Sequence, residues 1–330
     1  MYKGKFCTRP FESLIVDEDG DVMLCGCQAH MPFVIGNIYK NSLKEIWNNE
    51  LAQQVRQSVI DQDFTYCSWS CNWLPRLPQR PISLPIMPDF PKIINLSMDR
   101  SCNLKCPSCR ESTIMEKNSD KISVQIALFD EIKQWAIDHP DRTIIINPIS
   151  SGEIFASHSG LNFLKSLIDY PNNNLRLDIT TNGTLLYKNK DLLRNIASLI
   201  NEFQVSIDAA TADTFAQIRG GDWDNLIEGL DFVRDELKLK PCFRFCVQKN
   251  NWHEIEKFVD FSLNYNAFIN FQKLNDWGHW DIQWWHENNV FDRNKSSFNE
   301  CLSKLAQIKK DHHDKVFLAV ELHNYLNKAM

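Results

Sequence analysis

The sequence of 330 residues lacks any run of about 18 apolar residues, and so it predicts no membrane-spanning helix. Met1 to Lys5 lead into no apolar stretch of signal-peptide length, so we expect a cytoplasmic protein. The net charge is −6 and there is no long basic run. These features argue against binding to membranes or to broad stretches of nucleic acid.

Cysteine, in contrast, is abundant, with eleven residues. Structural disulfides are disfavoured in a reducing compartment, so clustered cysteines indicate metal or redox chemistry. Three of them lie within eight residues: Cys102, Cys106 and Cys109. Five lie in the first quarter of the chain: Cys7, Cys25, Cys27, Cys67 and Cys71. The remaining three are predicted to be ordinary buried thiols: Cys242, Cys246 and Cys301.

Six prolines between Pro75 and Pro91 predict an extended connector over residues 77–91. It separates a small α+β cysteine-rich domain, residues 1–76, from a larger domain, residues 92–275. In the small domain, Ser13–Val16 and Val22–Cys25 are predicted to form a β-hairpin, and Ser42 is predicted to cap one helix that runs to Val59. Residues 276–330 hold an aromatic-rich segment and a helix.

The larger domain alternates predicted strands and helices, which indicates an α/β fold with a parallel sheet. The strand candidates are Ile93–Met98, Thr143–Asn147, Leu175–Thr180, Phe203–Ile207, Phe243–Val247 and Phe268–Phe271. The helix candidates are Val124–Ile137, Leu161–Ile168, Leu192–Leu199, Leu226–Leu237 and Glu254–Leu263. We expect these units to form a partial (β/α)6 barrel.

Each predicted strand has one apolar and one polar face at a spacing of two residues. The polar face includes Ser206, Arg244, Cys246 and Asn270. An ordinary barrel interior is filled with branched apolar side chains, so a polar interior predicts a cavity for a polar, charged ligand. A hydrogen-bonded or water-filled interior is the alternative.

The segment from Cys102 to Cys109 carries the strongest signal. Three closely spaced thiolates can bind three irons of a cubane cluster and leave the fourth iron open. A zinc site normally needs a fourth protein ligand, and none is near in the sequence. The segment follows the first strand of the larger domain, where ligands bind in parallel α/β folds.

This Cys-x3-Cys-x2-Cys pattern after the first strand resembles the signature of the radical S-adenosylmethionine (radical SAM) enzymes. The resemblance implies that Cys102, Cys106 and Cys109 hold a [4Fe-4S] cluster whose open iron is chelated by S-adenosylmethionine. Reductive cleavage then gives a 5′-deoxyadenosyl radical, which abstracts a hydrogen atom from the substrate. The same resemblance assigns S-adenosylmethionine binding to Ser151, Gly152, Glu153, Asn182, Ser206 and Arg219.

The cysteines of the small domain form a second constellation. A hairpin brings Cys7 and Cys25 together, and the following helix returns the chain so that Cys67 and Cys71 lie beside them. Four thiolates can close one [4Fe-4S] cluster with no open iron, and this arrangement resembles the SPASM/twitch auxiliary-cluster domain. Cys27 is a spare that could replace one ligand. A structural zinc site with four thiolates is the rival interpretation.

The sequence therefore predicts a radical SAM enzyme whose auxiliary cluster accepts an electron or positions the substrate. The substrate is either a ribosomal peptide or a sugar- or nucleoside-type metabolite. An external electron donor, such as flavodoxin or ferredoxin, is expected as a partner. The alternative is a non-enzymatic protein that transfers electrons or holds structural zinc.

Overall fold

The computed structural model describes residues 3–25, 30–69, 71, 73–81, 89–275, 280–319, 322–323 and 325–326. Cys27, the middle of the proline-rich connector and the first residues of the aromatic-rich segment lie outside this part. None of the described helices combines the length and the apolar character needed to cross a bilayer.

The backbone forms two compact units, and neither is a continuous piece of the chain. The first unit contains Met1–Ser101, Met115–Ile179 and Ser198–Asn201. The second contains Cys102–Ile114, Thr180–Ala197 and Glu202–Met330. The predicted small domain thus shares a compact unit with the first strands of the predicted larger domain.

The first unit is built on a mixed sheet. Its strands are β1 (Ser13–Val16), β2 (Asp21–Met23), β3 (Gly36–Asn37), β4 (Ile93–Leu96), β5 (Ile144–Asn147) and most of β6 (Leu175–Thr181). Their order is β6-β5-β4-β1-β2-β3. The helices are α1 (Arg9–Glu12), α2 (Leu43–Asn48), α3 (Glu50–Ile60), α4 (Ser119–Asp138) and α5 (His158–Ser166). The predicted hairpin is confirmed, because β1 and β2 pair antiparallel across Gly20, whose φ is +80°.

Strand β1 also pairs with β4, in parallel, from Ser13 opposite Ile93 to Val16 opposite Leu96. Hydrogen bonds from Lys92 N to Glu12 O (2.8 Å) and from Ser97 N to Val16 O (2.7 Å) extend this ladder. The hairpin of the cysteine-rich segment is therefore continuous with the strand that leads to the Cys102 loop.

The predicted helix from Ser42 to Val59 is wrong in one respect: it is two helices. Ser42 begins α2 with a capping box that includes Glu45, as its sequence indicates. The chain then breaks at Asn49, whose backbone is extended. The Asn49 side chain accepts from Ala52 N (2.8 Å), which caps α3, and donates to Ile35 O (2.7 Å). Asparagine suits this position because its short amide bonds the backbone of a helix start.

The second unit is a parallel β/α arrangement. Its strands are most of β7 (Ile200–Ser206), β8 (Cys242–Val247), β9 (Phe268–Lys273) and β10 (Val316–Leu318), in the order β10-β9-β8-β7. The helices are α6 (Lys190–Ile196), α7 (Ala212–Arg219), α8 (Trp223–Phe232), α9 (Ile255–Asn264), α10 (Ile282–Asn288) and α11 (Ser297–Asp311). A π-helical turn, Val233–Leu237, continues α8.

The two-residue periodicity of the strands is confirmed by their burial. In β8 the buried Phe243, Phe245 and Val247 alternate with the half-buried Cys242, Arg244 and Cys246. The phenylalanines of β8 pack on Phe258 and Phe261 of α9. The polar residues therefore lie on the face of the sheet opposite this helix. The α/β class and the parallel pairing are confirmed.

Candidate functional site

The loop that carries Cys102, Cys106 and Cys109 is compact and largely shielded from solvent. Cys102 and Cys106 are buried with Leu104, and the half-buried Cys109 packs against them. The Cys102 N donates to Ile114 O (2.7 Å), which closes the base of the loop. The Cys109 N donates to Cys106 O (2.8 Å) in a tight turn. The loop thus holds three thiols together within one small apolar cluster.

Positive charge accompanies these thiols. The Arg110 Nε donates to Cys109 Sγ (3.4 Å). Burial raises the pKa of Cys106, whereas the nearby charge of Arg219 acts to lower it. Burial alone would lower the pKa of Arg219. The negative charges of the three cysteines and of Asp208 have the larger effect, and they raise the pKa of this guanidinium. Two guanidinium groups therefore favour the thiolate form, which is the form that ligates metals.

The Thr181-Asn182-Gly183 turn borders the cysteine loop. The Asn182 Nδ2 donates to Asn103 Oδ1 (2.9 Å) and lies 3.9 Å from Cys102 Sγ. Thr184 links both asparagines through its hydroxyl group. Gly183 has φ +84°, and a Cβ there would lie 2.4 Å from Leu226. A tight turn that only glycine fits thus holds Asn182 beside Cys102.

The Ser151-Gly152-Glu153 turn belongs to the first unit, where it is fastened to the backbone just before Cys102. The Glu153 N donates to Ser101 O (2.7 Å), and Glu153 is buried while Ser151 is exposed. A Cβ on Gly152 would lie 2.6 Å from Ser101 O and 2.8 Å from Asp99 O. Glycine is therefore required for the two segments to approach this closely.

Arg219 is engaged in an ion pair that the sequence analysis did not anticipate. Its Nη1 lies 3.0 Å from Asp208 Oδ2, and both side chains are largely buried. The other Asp208 oxygen accepts from Cys246 N (2.6 Å). Burial raises the pKa of Asp208, while Arg219 acts to lower it. Asp208 follows β7 on its polar side, which was the sequence signal that could have identified it as a partner.

Ser206 occupies the end of β7, opposite Arg244 of β8 in the parallel register. It is half-buried, and its hydroxyl group makes no hydrogen bond within the part of the chain that the structure describes. The structure therefore brings Asn182 and Arg219 to the cysteine loop in the second unit, while Ser151, Gly152 and Glu153 lie in the first unit.

The cysteines of the N-terminal segment also gather. Cys7, Cys67 and Cys71 pack against one apolar core that includes Phe6 and Phe64. Burial raises the pKa of Cys7 to about 11 and of Cys67 to about 12, and the charges of Cys25 and Cys71 add to both increases. Cys25 is therefore close enough to interact electrostatically with the other thiols.

Both groups of cysteines suit a thiolate-bound iron–sulfur cluster. The loop offers three ligands and the N-terminal segment offers four. As the side chains stand, no group of three or more His, Cys, Asp or Glu among the described residues is arranged to hold a metal ion. A [4Fe-4S] cluster binds each thiolate through a different iron, so it does not need its ligands gathered around a single ion.

The family model of the radical SAM superfamily matches residues 96–262, just over half of the chain. The chain belongs to the radical SAM superfamily. This superfamily consists of enzymes that bind S-adenosylmethionine and a [4Fe-4S] cluster. The match covers the cysteine loop, the Ser151-Gly152-Glu153 turn and the Asp208–Arg219 pair. It confirms the resemblance found in the sequence.

A second family model, the SPASM iron–sulfur cluster-binding domain, matches residues 7–72. In this radical SAM chain the SPASM domain precedes the radical SAM domain and contains Cys7, Cys25, Cys67 and Cys71. The two domains imply two kinds of [4Fe-4S] cluster, one of them auxiliary. No curated protein matches the sequence.

Solved structures of radical SAM proteins are similar to this chain at low sequence identity. Streptococcus suis SuiB bound to S-adenosylmethionine is 14% identical over 82% of this chain and 55% of its own, with a TM-score of 0.49. SuiB bound to its precursor peptide SuiA is 12% identical over 84% and 64%, with a TM-score of 0.46. A radical SAM methyltransferase from Sphaerobacter thermophilus is 14% identical over 66% and 63%, with a TM-score of 0.43. The chain thus spans little more than half the length of SuiB in its complex with S-adenosylmethionine.

Proposed function

We propose that the protein reductively cleaves S-adenosylmethionine and uses the 5′-deoxyadenosyl radical to abstract a hydrogen atom from a substrate. The observation that carries this proposal is the buried three-cysteine loop with Arg219 and Asn182 beside it. When bound, a [4Fe-4S] cluster with one open iron would supply the electron for this cleavage. Cys102, Cys106 and Cys109 are the residues that would hold it.

The surrounding residues have separate tasks in this proposal. Arg219 binds the carboxylate of S-adenosylmethionine, for which a planar guanidinium is well suited, and Ser206 contributes a hydroxyl group. Asp208 fixes the orientation of Arg219 through their 3.0 Å ion pair. Glu153 and the backbone of Ser151 and Gly152 receive the amino group of the methionine. Asn182 positions the cysteine loop and borders the ribose.

The auxiliary cluster would be held by Cys7, Cys25, Cys67 and Cys71, and we propose that it accepts an electron from the substrate or positions the substrate. The substrate is a ribosomal peptide or a sugar- or nucleoside-type metabolite. A flavodoxin or ferredoxin would supply electrons in the cytoplasm. In this proposal residues 92–275 form a partial (β/α)6 barrel, residues 77–91 connect it to the cysteine-rich domain 1–76, and residues 276–330 follow it.

The test is an anaerobic assay for 5′-deoxyadenosine with reconstituted protein and a strong reductant. The wild type should form 5′-deoxyadenosine, and a triple variant, Cys102→Ala/Cys106→Ala/Cys109→Ala, should form none. Cys301→Ala is the matched control, because Cys301 is a buried thiol of α11 that belongs to neither constellation. Arg219→Gln should bind S-adenosylmethionine about tenfold more weakly while its iron content is unchanged. Absence of 5′-deoxyadenosine from wild-type protein with a full iron complement would refute the proposal.

A further inference from the structure

The polar face of β7, β8 and β9 carries a row of side chains in register. Ser206 lies opposite Arg244, and Arg244 lies opposite Asn270. One position earlier on this face, Gln204 lies opposite Cys242. All of these residues are half-buried. The other face of the sheet is filled by phenylalanines that pack on α9, so this row lies on the face away from that helix.

Arg244 stands in this row without a partner for its charge. Its Nε is buried and makes no hydrogen bond, and the described residues offer it no ion pair within 4.0 Å. Two carboxylates influence it electrostatically, Asp208 and Glu202. Asp208 is already bound to Arg219, and Glu202 accepts the Gln204 amide (2.7 Å). Burial lowers the pKa of Arg244. A partly buried, unpaired guanidinium costs stability, which indicates a purpose other than folding.

The neighbours of Arg244 are unsatisfied in the same way. The Asn270 Oδ1 and Gln204 Oε1 are buried and make no hydrogen bond with the described residues. Buried polar groups are normally paired in folded proteins, so several unpaired groups on one face indicate a bound polar molecule. The set contains donors and acceptors. Its ligand must therefore carry hydrogen-bond donors next to a negatively charged group.

Arg219 differs from Arg244 in its surroundings. Arg219 ends α7, is paired with Asp208 and interacts with the three thiols of the cysteine loop. Arg244 lies on β8, between Ser206 and Asn270. The charges of both arginines reach Asp208, but only Arg219 is bound to it. The two guanidiniums are thus placed for two different ligands.

We propose that Arg244 binds an oxyanion of the substrate, a carboxylate or a phosphate, with the amides of Asn270 and Gln204 contacting its neighbouring polar groups. This inference rests on the proposed function, because it treats the polar face as the substrate site of the same enzyme. It narrows the substrate to anionic molecules. Arg fits this task because its fork pairs with both oxygens of such a group.

The experiment measures anion binding to the full-length reconstituted protein in the presence of S-adenosylmethionine. Inorganic phosphate and glutarate are titrated separately by calorimetry. The probe that binds more tightly shows whether the oxyanion is a phosphate or a carboxylate. We expect Arg244→Met to weaken binding of that probe at least tenfold. The affinity of Arg244→Lys should lie between those of the wild type and of Arg244→Met. Arg234→Met is the matched control, since Arg234 is a half-exposed arginine that is paired with Asp231 and Asp235. It should bind the probe as the wild type does.

A second measurement separates ligand binding from a structural role. Arg244→Met removes an unpaired charge and keeps most of the side-chain volume, so its melting temperature in anion-free buffer should equal or exceed that of the wild type. A melting temperature several degrees lower, with probe binding unchanged, would show that Arg244 serves the fold. Equal losses of probe affinity in Arg244→Met and Arg234→Met would show a general charge effect. Either result, or a wild type that binds neither probe, overturns the inference.

A further measurement tests whether Arg244 binds S-adenosylmethionine and not the substrate. If Arg244→Met loses as much S-adenosylmethionine affinity as Arg219→Gln, Arg244 belongs to the cofactor site and the inference is wrong while the proposed function stands. Anion binding is also measured on protein without iron, so that binding is tested independently of S-adenosylmethionine cleavage. If wild-type protein with a full iron complement forms no 5′-deoxyadenosine while the iron-free protein still binds the anion, the proposed function is refuted and the anion site remains.

Discussion

Asp208 has φ +60°, a left-handed backbone that a residue other than glycine adopts only where its surroundings hold it. Here the carboxylate binds Arg219 and Cys246 N, and the carbonyl oxygen accepts from Asn251 Nδ2 (2.9 Å). The local strain is thus compensated by contacts that orient a guanidinium beside the cysteine loop. Residues at the ends of parallel strands often carry such roles.

Gly152 is a second residue at which local geometry determines the site. We predict that Gly152→Ala lowers the free energy of unfolding by about 1–3 kcal/mol, since the new methyl group would collide with two backbone oxygens. It should also weaken S-adenosylmethionine binding. Chemical denaturation and calorimetry measure the two effects.

Gly160→Ala is the control for this change. Gly160 lies in α5, and a Cβ there would lie 3.1 to 3.2 Å from side-chain atoms only. Alanine is also favoured within a helix. Equal effects of the two substitutions on stability and on cofactor binding would contradict a specific requirement for glycine at residue 152.

At the scale of elements, the two-residue and helical periodicities predicted six strands and five helices close to their observed positions. They did so because each element buries one face, as β8 does. The pairing of β1 with β4 could not be predicted, since the two strands are far apart in sequence and either could complete another sheet. Likewise, the cysteine spacing predicted the loop, whereas the position of Asp208 on the polar side of β7 indicates an inward-facing carboxylate but does not specify Arg219 as its partner.

The break at Asn49 leads to a prediction for the elements it joins. Asn49→Ala removes the cap of α3 and the bond to Ile35 O, and it should cost about 1 kcal/mol of stability. The melting temperature, measured by circular dichroism, should fall by a few degrees. Gln53→Ala, an exposed change within α3, is the control and should have little effect. An unchanged melting temperature for Asn49→Ala would indicate that the break depends on other contacts.

At the scale of the whole molecule, the two thiol constellations have different capacities. The cysteine loop offers three ligands and the SPASM domain offers at least four, so only the second can saturate a cubane. We therefore predict that Cys67→Ala/Cys71→Ala protein still forms 5′-deoxyadenosine under strong reductant but little or no modified substrate. Chromatography of both products from one reaction measures this.

The iron content provides the control for that experiment. Fully reconstituted wild type should hold about eight irons, and the double variant about half of them. Normal product formation by the double variant would show that the auxiliary cluster is dispensable. If the double variant keeps about half of the iron but forms no 5′-deoxyadenosine, cleavage of S-adenosylmethionine at the cysteine loop depends on the N-terminal cysteines.

The parallel ladder between β1 and β4 has a consequence for any attempt to separate the radical SAM domain from the cysteine-rich segment. Without residues 1–91, β4 would become an edge strand with a row of unpaired N–H and C=O groups. Such an edge is a template for strands of other molecules and promotes aggregation. The segment that carries the N-terminal cysteines therefore also acts as a built-in protective strand for the start of the radical SAM domain. A chain that lacks this segment is expected to aggregate before any activity could be measured.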